Sequence, residues 1–491
     1  MSSEALRRER AAEARQLAGL LVGELRAASP ALLELHAADL APALEQQLFF
    51  ALRDDRRPAE GGWQRAVGAG RAVGRPLLAA LGSLRPAQDP PAGRMVVLIR
   101  EMVHAESVRA MAAQLRRRGV ETPLIVRVGR AAAARNPAPG TVRLADLMLP
   151  RLIPGLVHHQ MAVMARFDGA AASWDEVLRP TGRAAAGMRS IAREELLRIG
   201  LASFALSSLV QRWHPSLLVG FDEIGTWARV LPAVARAGGI RSLDLPHAEA
   251  VDSVAIRGAG YDRMAVYGPR AAATLRSAGI AAERIVEIGA PRFDSLVAAP
   301  PSDLREDPRD VIFAAQYVTA AMSLQDLEAC YLAAVAAARA VAPSRLIIRP
   351  HPAEPPGLVA DIAARLGAPA GVRVRVESAL GLHRLLDHAW LLVTGWSNSI
   401  FEAGLRGVPA IAVDPHGSSP VTYAAEGLAL AAADELTAAA AAHSLIDRTT
   451  RDEVVARARD ALGQHLGAMD GLASDRAAAL AVELAREAGV R

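Results

Sequence analysis

Four short segments carry residue types that can do chemistry. Arg349-Pro350-His351-Pro352 follows an apolar run that ends at Ile348. Its two prolines restrict the backbone around the histidine. Arg349 presents a planar fork suited to two phosphate oxygens, and His351 can donate to a phosphate or to a leaving oxygen. The plain alternative is a rigid loop with a solvated arginine. The second segment is Thr394-Gly395-Trp396-Ser397-Asn398-Ser399-Ile400-Phe401-Glu402-Ala403-Gly404. It leaves another apolar run and opens a helix, with Ser397 as the expected N-cap and Ser399 in the first turn. The backbone N–H groups and dipole at such a place favour an anion such as a nucleotide phosphate. Glu402, about one turn further in, could accept from two ribose hydroxyls or simply complement the dipole.

The other two segments carry bases. Asp222 and Glu223, in Phe221-Asp222-Glu223-Ile224-Gly225, form an acidic pair just past an apolar run. Either could deprotonate an acceptor hydroxyl. Capping of the following helix is the ordinary alternative. His247, in Leu245-Pro246-His247-Ala248-Glu249, again sits just past a strand-like run and is a base or polar-anchor candidate. Gly289-Ala290-Pro291-Arg292-Phe293-Asp294 reads as a turn, with Arg292 a minor phosphate candidate. His158-His159 has no nearby Cys or carboxylate cluster, so a structural role is expected rather than a metal site.

These segments need elements to hold them. Residues 1–90 have apolar residues at helical spacing, among them Leu17, Leu21 and Leu25, and predict a helical N-terminal extension. From residue 91 short apolar runs alternate with helical stretches. Runs at 95–99, 124–128, 216–220 and 240–245 are separated by helices near 103–118, 191–210 and 226–236. Residues 129–190 give no clear pattern. Pro300, Pro301 and Pro308 mark a linker, and a second alternating series follows, with strands at 310–315, 345–348, 372–376, 390–393 and 410–413. Such alternation predicts parallel sheets covered by helices on both faces. The expected fold class is α/β, with two Rossmann-like doubly wound domains. Their expected spans are 91–300 and 301–430, with C-terminal helices at 431–491 packing on the body. Two such sheets predict a cleft, with ligands at the carboxyl ends of the strands.

Composition narrows the chemistry. The 491 residues suit two or three domains, and 52% hydrophobic with 22% charged residues is a globular balance. All 56 basic residues other than histidine are arginine. The absence of lysine excludes a P-loop lysine, a Schiff-base lysine and a lysine base. A net charge of +4 against 52 acidic residues does not read as a nucleic-acid binder. The single cysteine, Cys330, excludes an intrachain disulfide and any multi-cysteine metal site, and a buried inert thiol is expected. No G-x-G-x-x-G follows a strand, which argues against an ordinary dinucleotide site. No D-x-D triplet of the kind used by metal-dependent sugar-nucleotide enzymes occurs. The Gly395–Ser399 stretch ends in Ser where a nucleophile elbow has Gly, which sets aside a serine hydrolase. Residues 1–16 lack an apolar signal region, and no apolar stretch reaches the ~20 residues of a membrane span. A cytoplasmic location is expected, with peripheral contact at the inner face of a membrane left open.

Taken in order, these residues resemble bacterial glycosyltransferases of the GT-B type. The resemblance is to capsule and surface-carbohydrate enzymes, including the CDP-glycerol glycerophosphotransferase-like and polysialyltransferase-like families. It covers about residues 95–430 and runs through Asp222 and Glu223, His247, the Gly289–Asp294 turn, Gln316 opening the second domain, Arg349–Pro352 and the serine-rich loop with Glu402, Gly407 and Pro409. Where those families often read Gln-His-Gly, this chain reads Pro246-His247-Ala248. The resemblance implies transfer from a nucleotide-sugar donor to a carbohydrate or glycolipid acceptor. The donor would be held by Gln316, Arg349, His351, Gly395, Ser397, Asn398, Ser399 and Glu402. The base would be Asp222, Glu223 or His247. No metal or cofactor beyond the nucleotide-activated substrate is implied. Residue 410 is Ala, so no second glutamate lies eight positions after Glu402, which points to single-displacement, inverting transfer. Two alternatives stay open: a sugar-nucleotide 2-epimerase-like isomerase and a non-catalytic sugar-nucleotide-binding protein.

Overall fold

A computed structural model describes residues 3–54, 94–99, 104–121, 123–127, 141–147, 149–221, 223–246, 248–249, 252–299, 307–318, 322–351, 354–355, 357–367, 372–417, 419 and 421–489. The chain divides into two compact units. Ala5–Val266, Ala272–Arg292 and Ser474–Arg491 make up an N-terminal unit, and Tyr267–Ala271 with Phe293–Ala473 belong to a C-terminal unit.

The N-terminal unit opens with the helices Ser3–Ala28 and Ala41–Arg53. Between them β1 (Glu34–Leu35) and β2 (Ala38–Asp39) pair antiparallel. Leu44, Leu48 and Leu52 recur every four residues and are buried, as an amphipathic helix requires. The remainder of the expected extension, 55–90, lies outside the described residues. A seven-stranded sheet follows: β3 (Val96–Ile99), β4 (Leu124–Arg127), β5 (Thr141–Arg143), β6 (Leu217–Gly220), β7 (Arg241–Asp244), β8 (Arg263–Val266) and β9 (Ile285–Glu287). Its order is β5-β4-β3-β6-β7-β8-β9, and every pairing is parallel. Val97, Val219 and Leu243 pack on Met111, Leu115 and the helix Ala473–Gly489 through Ala477 and Ala481.

The stretch 129–190, patternless in the sequence, contains the helix Ile153–Ala170. Its buried positions are Leu156, His159, Gln160, Val163 and Phe167. Two polar residues sit on the inward stripe and break the apolar period, which is why the helix was not legible. His159 satisfies one ring nitrogen at 3.1 Å from the Leu32 carbonyl, in keeping with the structural role expected for it. Burial pushes its pKa down from the usual histidine range.

The C-terminal unit holds six parallel strands: β10 (Arg309–Ala314), β11 (Ser344–Arg349), β12 (Val372–Val376), β13 (Leu391–Thr394), β14 (Ala410–Val413) and β15 (Leu430–Ala432). Their order is β12-β11-β10-β13-β14-β15. Val311 of β10 lies opposite Leu346 on one side and Leu391 on the other. Phe313, Ile348, Val393 and Ile411 join Cys330 and Tyr331 of the helix Leu324–Ala340 in one core. Each such buried side chain contributes roughly 1.5–3 kcal/mol. A capping box starts that helix: Ser323 accepts from the Asp326 N–H, and Asp326 accepts from the Ser323 N–H. At the edge, β12 alternates Val-Arg-Val-Arg-Val with Arg373 and Arg375 exposed, charges that discourage edge pairing with another chain. No described helix is long and apolar enough to cross a membrane.

Candidate functional site

The strand order of the C-terminal unit decides where its loops meet. The chain lays down β10, β11 and β12 to one side, then returns to β13 on the other side of β10. In such sheets ligands sit at the carboxyl ends of the strands flanking the reversal. Here these ends are Ala314–Gln316 after β10 and Thr394–Asn398 after β13, with Arg349–His351 next door after β11. Every residue assigned to donor binding from the sequence lies on one of these ends or in the helix Ser399–Leu405 that follows β13.

Short polar contacts tie the three ends together. The Ala315 N–H donates to the Arg349 carbonyl at 3.0 Å. Thr394 Oγ1 donates to the Ala314 carbonyl at 2.8 Å. Gln316 Oε1 accepts from the Trp396 N–H at 2.9 Å. The tyrosine after it, Tyr317, places its ring centroid 4.6 Å from that of His351. The His351 loop is closed by Glu354, which the sequence reading missed. Glu354 Oε2 accepts from the His351 N–H at 3.2 Å, and the Glu354 N–H donates to the His351 carbonyl at 3.0 Å. Burial pushes the Glu354 carboxyl up, only partly offset by its hydrogen bonds from His351 and Val359 and by Arg349. An acid three residues after the histidine was the signal available. Arg349 Nη1 donates to the Pro350 carbonyl at 3.0 Å.

The serine-rich loop differs in one detail from expectation. Asn398, not Ser397, holds the N-cap position of Ser399–Leu405. The Ser397 hydroxyl instead accepts from the Ser399 N–H at 3.2 Å, bracing the turn just ahead of the helix. Asn398 Oδ1 accepts from the Tyr423 hydroxyl at 3.0 Å. Ser399 is buried, and its Oγ has no hydrogen-bond partner among the described residues. A buried hydroxyl without a partner is unusual and fits a ligand position. Glu402 is buried one turn on.

Behind the loop, Tyr423, Phe401 and His465 form a ring cluster, with Tyr423 edge-on to both partners. His465 Nε2 lies 3.0 Å from Glu426 Oε2, and Arg270 Nη2 donates to Glu426 Oε1 at 2.7 Å. Tyr423 and Glu426 were also missed. Neither sits in a motif, and both act on residues distant in sequence.

In the N-terminal unit the reversal lies between β3 and β6. Glu223 follows β6, half-buried, and its carbonyl accepts from Arg229 Nη1 at 2.8 Å. Asp222 and His247 lie outside the described residues. In the Gly289–Asp294 segment, expected to be a turn, Gly289 stands at φ +85° and a short 3-10 helix, Pro291–Phe293, follows. Among the described residues no group of three or more His, Cys, Asp and Glu side chains is placed to hold a metal ion.

No protein-family model matches the chain, and no curated protein matches it. Solved structures do match. The UDP-GlcNAc 2-epimerase from Neisseria meningitidis, in a crystal structure bound to UDP-GlcNAc, is similar with a TM-score of 0.52 at 12% identity, over 79% of this chain and 100% of that one. A variant of the wall teichoic acid polymerase TagF is similar with a TM-score of 0.50 at 11% identity, over 88% of this chain and 100% of that one. At these identities the likeness is one of fold. The chain has two Rossmann-like units of the GT-B fold, as the sequence predicts.

Proposed function

We propose that the chain is a GT-B type glycosyltransferase or a related glycerophosphotransferase. It would move a sugar or polyol phosphate from a nucleotide-activated donor to an acceptor hydroxyl in surface polysaccharide or glycoconjugate synthesis. The observation that carries this reading is the convergence of Gln316, the His351 loop and the Gly395–Ser399 loop at one switch point, with the buried Ser399 hydroxyl lacking a partner among the described residues. Arg349, His351 and the Ser397 and Ser399 hydroxyls meet the charge that develops on the leaving phosphate, where electrostatic help is worth most. Glu402 takes the ribose hydroxyls. Gln316, Gly395 and Asn398 hold the loop in shape. Asp222, Glu223 or His247 of the N-terminal unit removes the acceptor proton, which typically contributes ~10²–10⁴-fold. The reaction is a single, inverting displacement that needs no resident metal or cofactor. The acceptor is a carbohydrate or glycolipid, reached from the cytoplasmic side.

Thermal unfolding with UDP, CDP, CMP, GDP and dTDP tests the donor site. Stabilisation by at least one nucleotide, lost in His351→Ala, is expected. No stabilisation by any, or equal stabilisation of His351→Ala, sinks the reading. A second reading is isomerisation of a sugar nucleotide, favoured by the likeness to an epimerase that holds UDP-GlcNAc. Incubation with a sugar nucleotide and no acceptor separates the two: an isomeric product supports the epimerase.

A further inference from the structure

Three polar side chains of the N-terminal helices are buried: Arg15, Gln46 and Gln47 are 4%, 0% and 8% exposed. Burying such groups is costly unless each finds hydrogen bonds. Their partners are two segments far along the chain. Gln46 Nε2 donates to the Ile224 carbonyl at 2.5 Å and to the Ala255 carbonyl at 3.0 Å. Gln47 Nε2 donates to Thr226 Oγ1 at 2.7 Å. Arg15 Nη2 donates to Gln46 Oε1 and to the Val254 carbonyl, both at 2.8 Å. The Arg15 guanidinium also lies 3.9 Å over the Phe49 ring, a cation–π contact. Burial lowers its pKa to about 10, so it stays a cation at neutral pH.

Arg229 completes the frame. Its Nη1 takes the Glu223 carbonyl at 2.8 Å, and its Nη2 takes the carbonyls of Ala255 and Arg257 at 2.9 and 2.8 Å. The segment 223–226 is therefore gripped at the carbonyls of Glu223 and Ile224 and at the hydroxyl of Thr226. Hydrophobic contact alone would dock the helix Ala41–Arg53, since Leu44, Leu48 and Leu52 supply its buried stripe. Area burial is non-directional. The contacts of Gln46, Gln47 and Arg229 add direction, because each fixes a named acceptor of the loop, while Arg15 acts on it through Gln46, whose side-chain oxygen it holds.

We propose that Arg15, Gln46 and Gln47 are positioning residues that hold the segment 223–226 in one backbone conformation at the end of β6. The helical extension thereby belongs to the acceptor side of the reaction. This rests on the reading of Glu223 as a candidate base. Displacing a reacting group by about 1 Å can cost about a hundredfold in rate.

The full-length protein tests the idea with Gln46→Met, Thr226→Val and Thr226→Ser. Hydrogen–deuterium exchange of the peptide spanning 221–230 reads the grip with or without substrate. Nucleotide release from the donor identified by the thermal panel reads turnover. Gln46→Met and Thr226→Val should raise exchange in that peptide and lower kcat about ten- to a hundredfold. The donor KM should stay within about twofold, since the donor contacts are not touched. Thr226→Ser keeps the acceptor oxygen and should restore kcat. Thr226 is only half-buried, so its variants keep the test alive if Gln46→Met fails to fold. Unchanged exchange overturns the proposal, and so does raised exchange with unchanged kcat. Full turnover by Glu223→Gln would instead remove Glu223 as the base, while the exchange result would still stand for the grip.

Discussion

The side-chain carbonyl of Gln316 rests over Gly395. It accepts from the next residue's N–H, Trp396, at 2.9 Å, and a Cβ on Gly395 would lie only 2.2 Å from the same oxygen. The glycine thus permits a close approach across the switch point that a Cβ would allow only if the Gln316 side chain moved, and its own dihedral angles do not call for it. Gly395→Ala should push Gln316 aside, cost about 1–3 kcal/mol of stability and weaken nucleotide binding. Gln316→Ala should cost about 1–3 kcal/mol by stranding the Trp396 N–H. The double variant should be less damaged than the sum, because the clash needs both residues. Urea unfolding and nucleotide titration of the four proteins would measure this, and strict additivity would contradict it.

Tyr423 offers a cleaner test of the serine-rich loop. Its hydroxyl donates to Asn398 Oδ1, while its ring packs on Phe401 and His465. Tyr423→Phe removes the hydroxyl and leaves the packing. The expected loss is about 0.5–1.5 kcal/mol of stability. Nucleotide affinity should fall while the affinity of His351→Ala, already low, changes little on adding Tyr423→Phe. Calorimetric titration would check both.

Much of this frame was legible because parallel strands buried on both faces read as plain apolar runs. Leu391–Thr394 and Ala410–Val413 are such cases. The ends of the strands that were read were therefore placed to within a residue, and with them Arg349, His351 and Gly395. The strands Thr141–Arg143, Ile285–Glu287 and Leu430–Ala432, three residues each, and the four-residue Arg263–Val266 carried too little pattern to find. Partners set by tertiary contact were invisible. Asn398 and Tyr423 are 25 residues apart, and Gln46 and Ile224 are 178 apart. No spacing rule links such pairs; only the folded sheet brings them together.

Cys330 illustrates what burial does to a lone thiol. It is 2% exposed in the core beneath β10 and β14, and burial, with Asp326 and Asp414 adding to it, pushes its pKa up to about 12. Thiolate is the reactive form. The native protein should therefore resist a thiol reagent at mildly alkaline pH, and labelling should track unfolding in urea. Rapid labelling of the native protein would contradict the packing around Cys330.

Glu426 gives the acid side of the stability profile. Burial on its own would raise its pKa, but hydrogen bonds from His465, Thr422 and Arg270 and the Arg270 charge outweigh it and hold the carboxyl at about 2, against an ordinary 4.5. A carboxylate depressed in the folded state binds its proton less readily there than in the unfolded chain. Its contribution to stability is thus fully present above about pH 4.5 and drains away as the pH falls toward 2. Glu426→Gln cannot titrate. At neutral pH the variant should be less stable than the parent, because His465 and Arg270 lose a charged acceptor. As the pH falls through that window the gap should close from the parent's side. Urea midpoints of parent and variant at neutral pH and at about pH 3 test this. A gap that stays constant over the window would show that the carboxylate is not the group that Arg270 and His465 hold ionised.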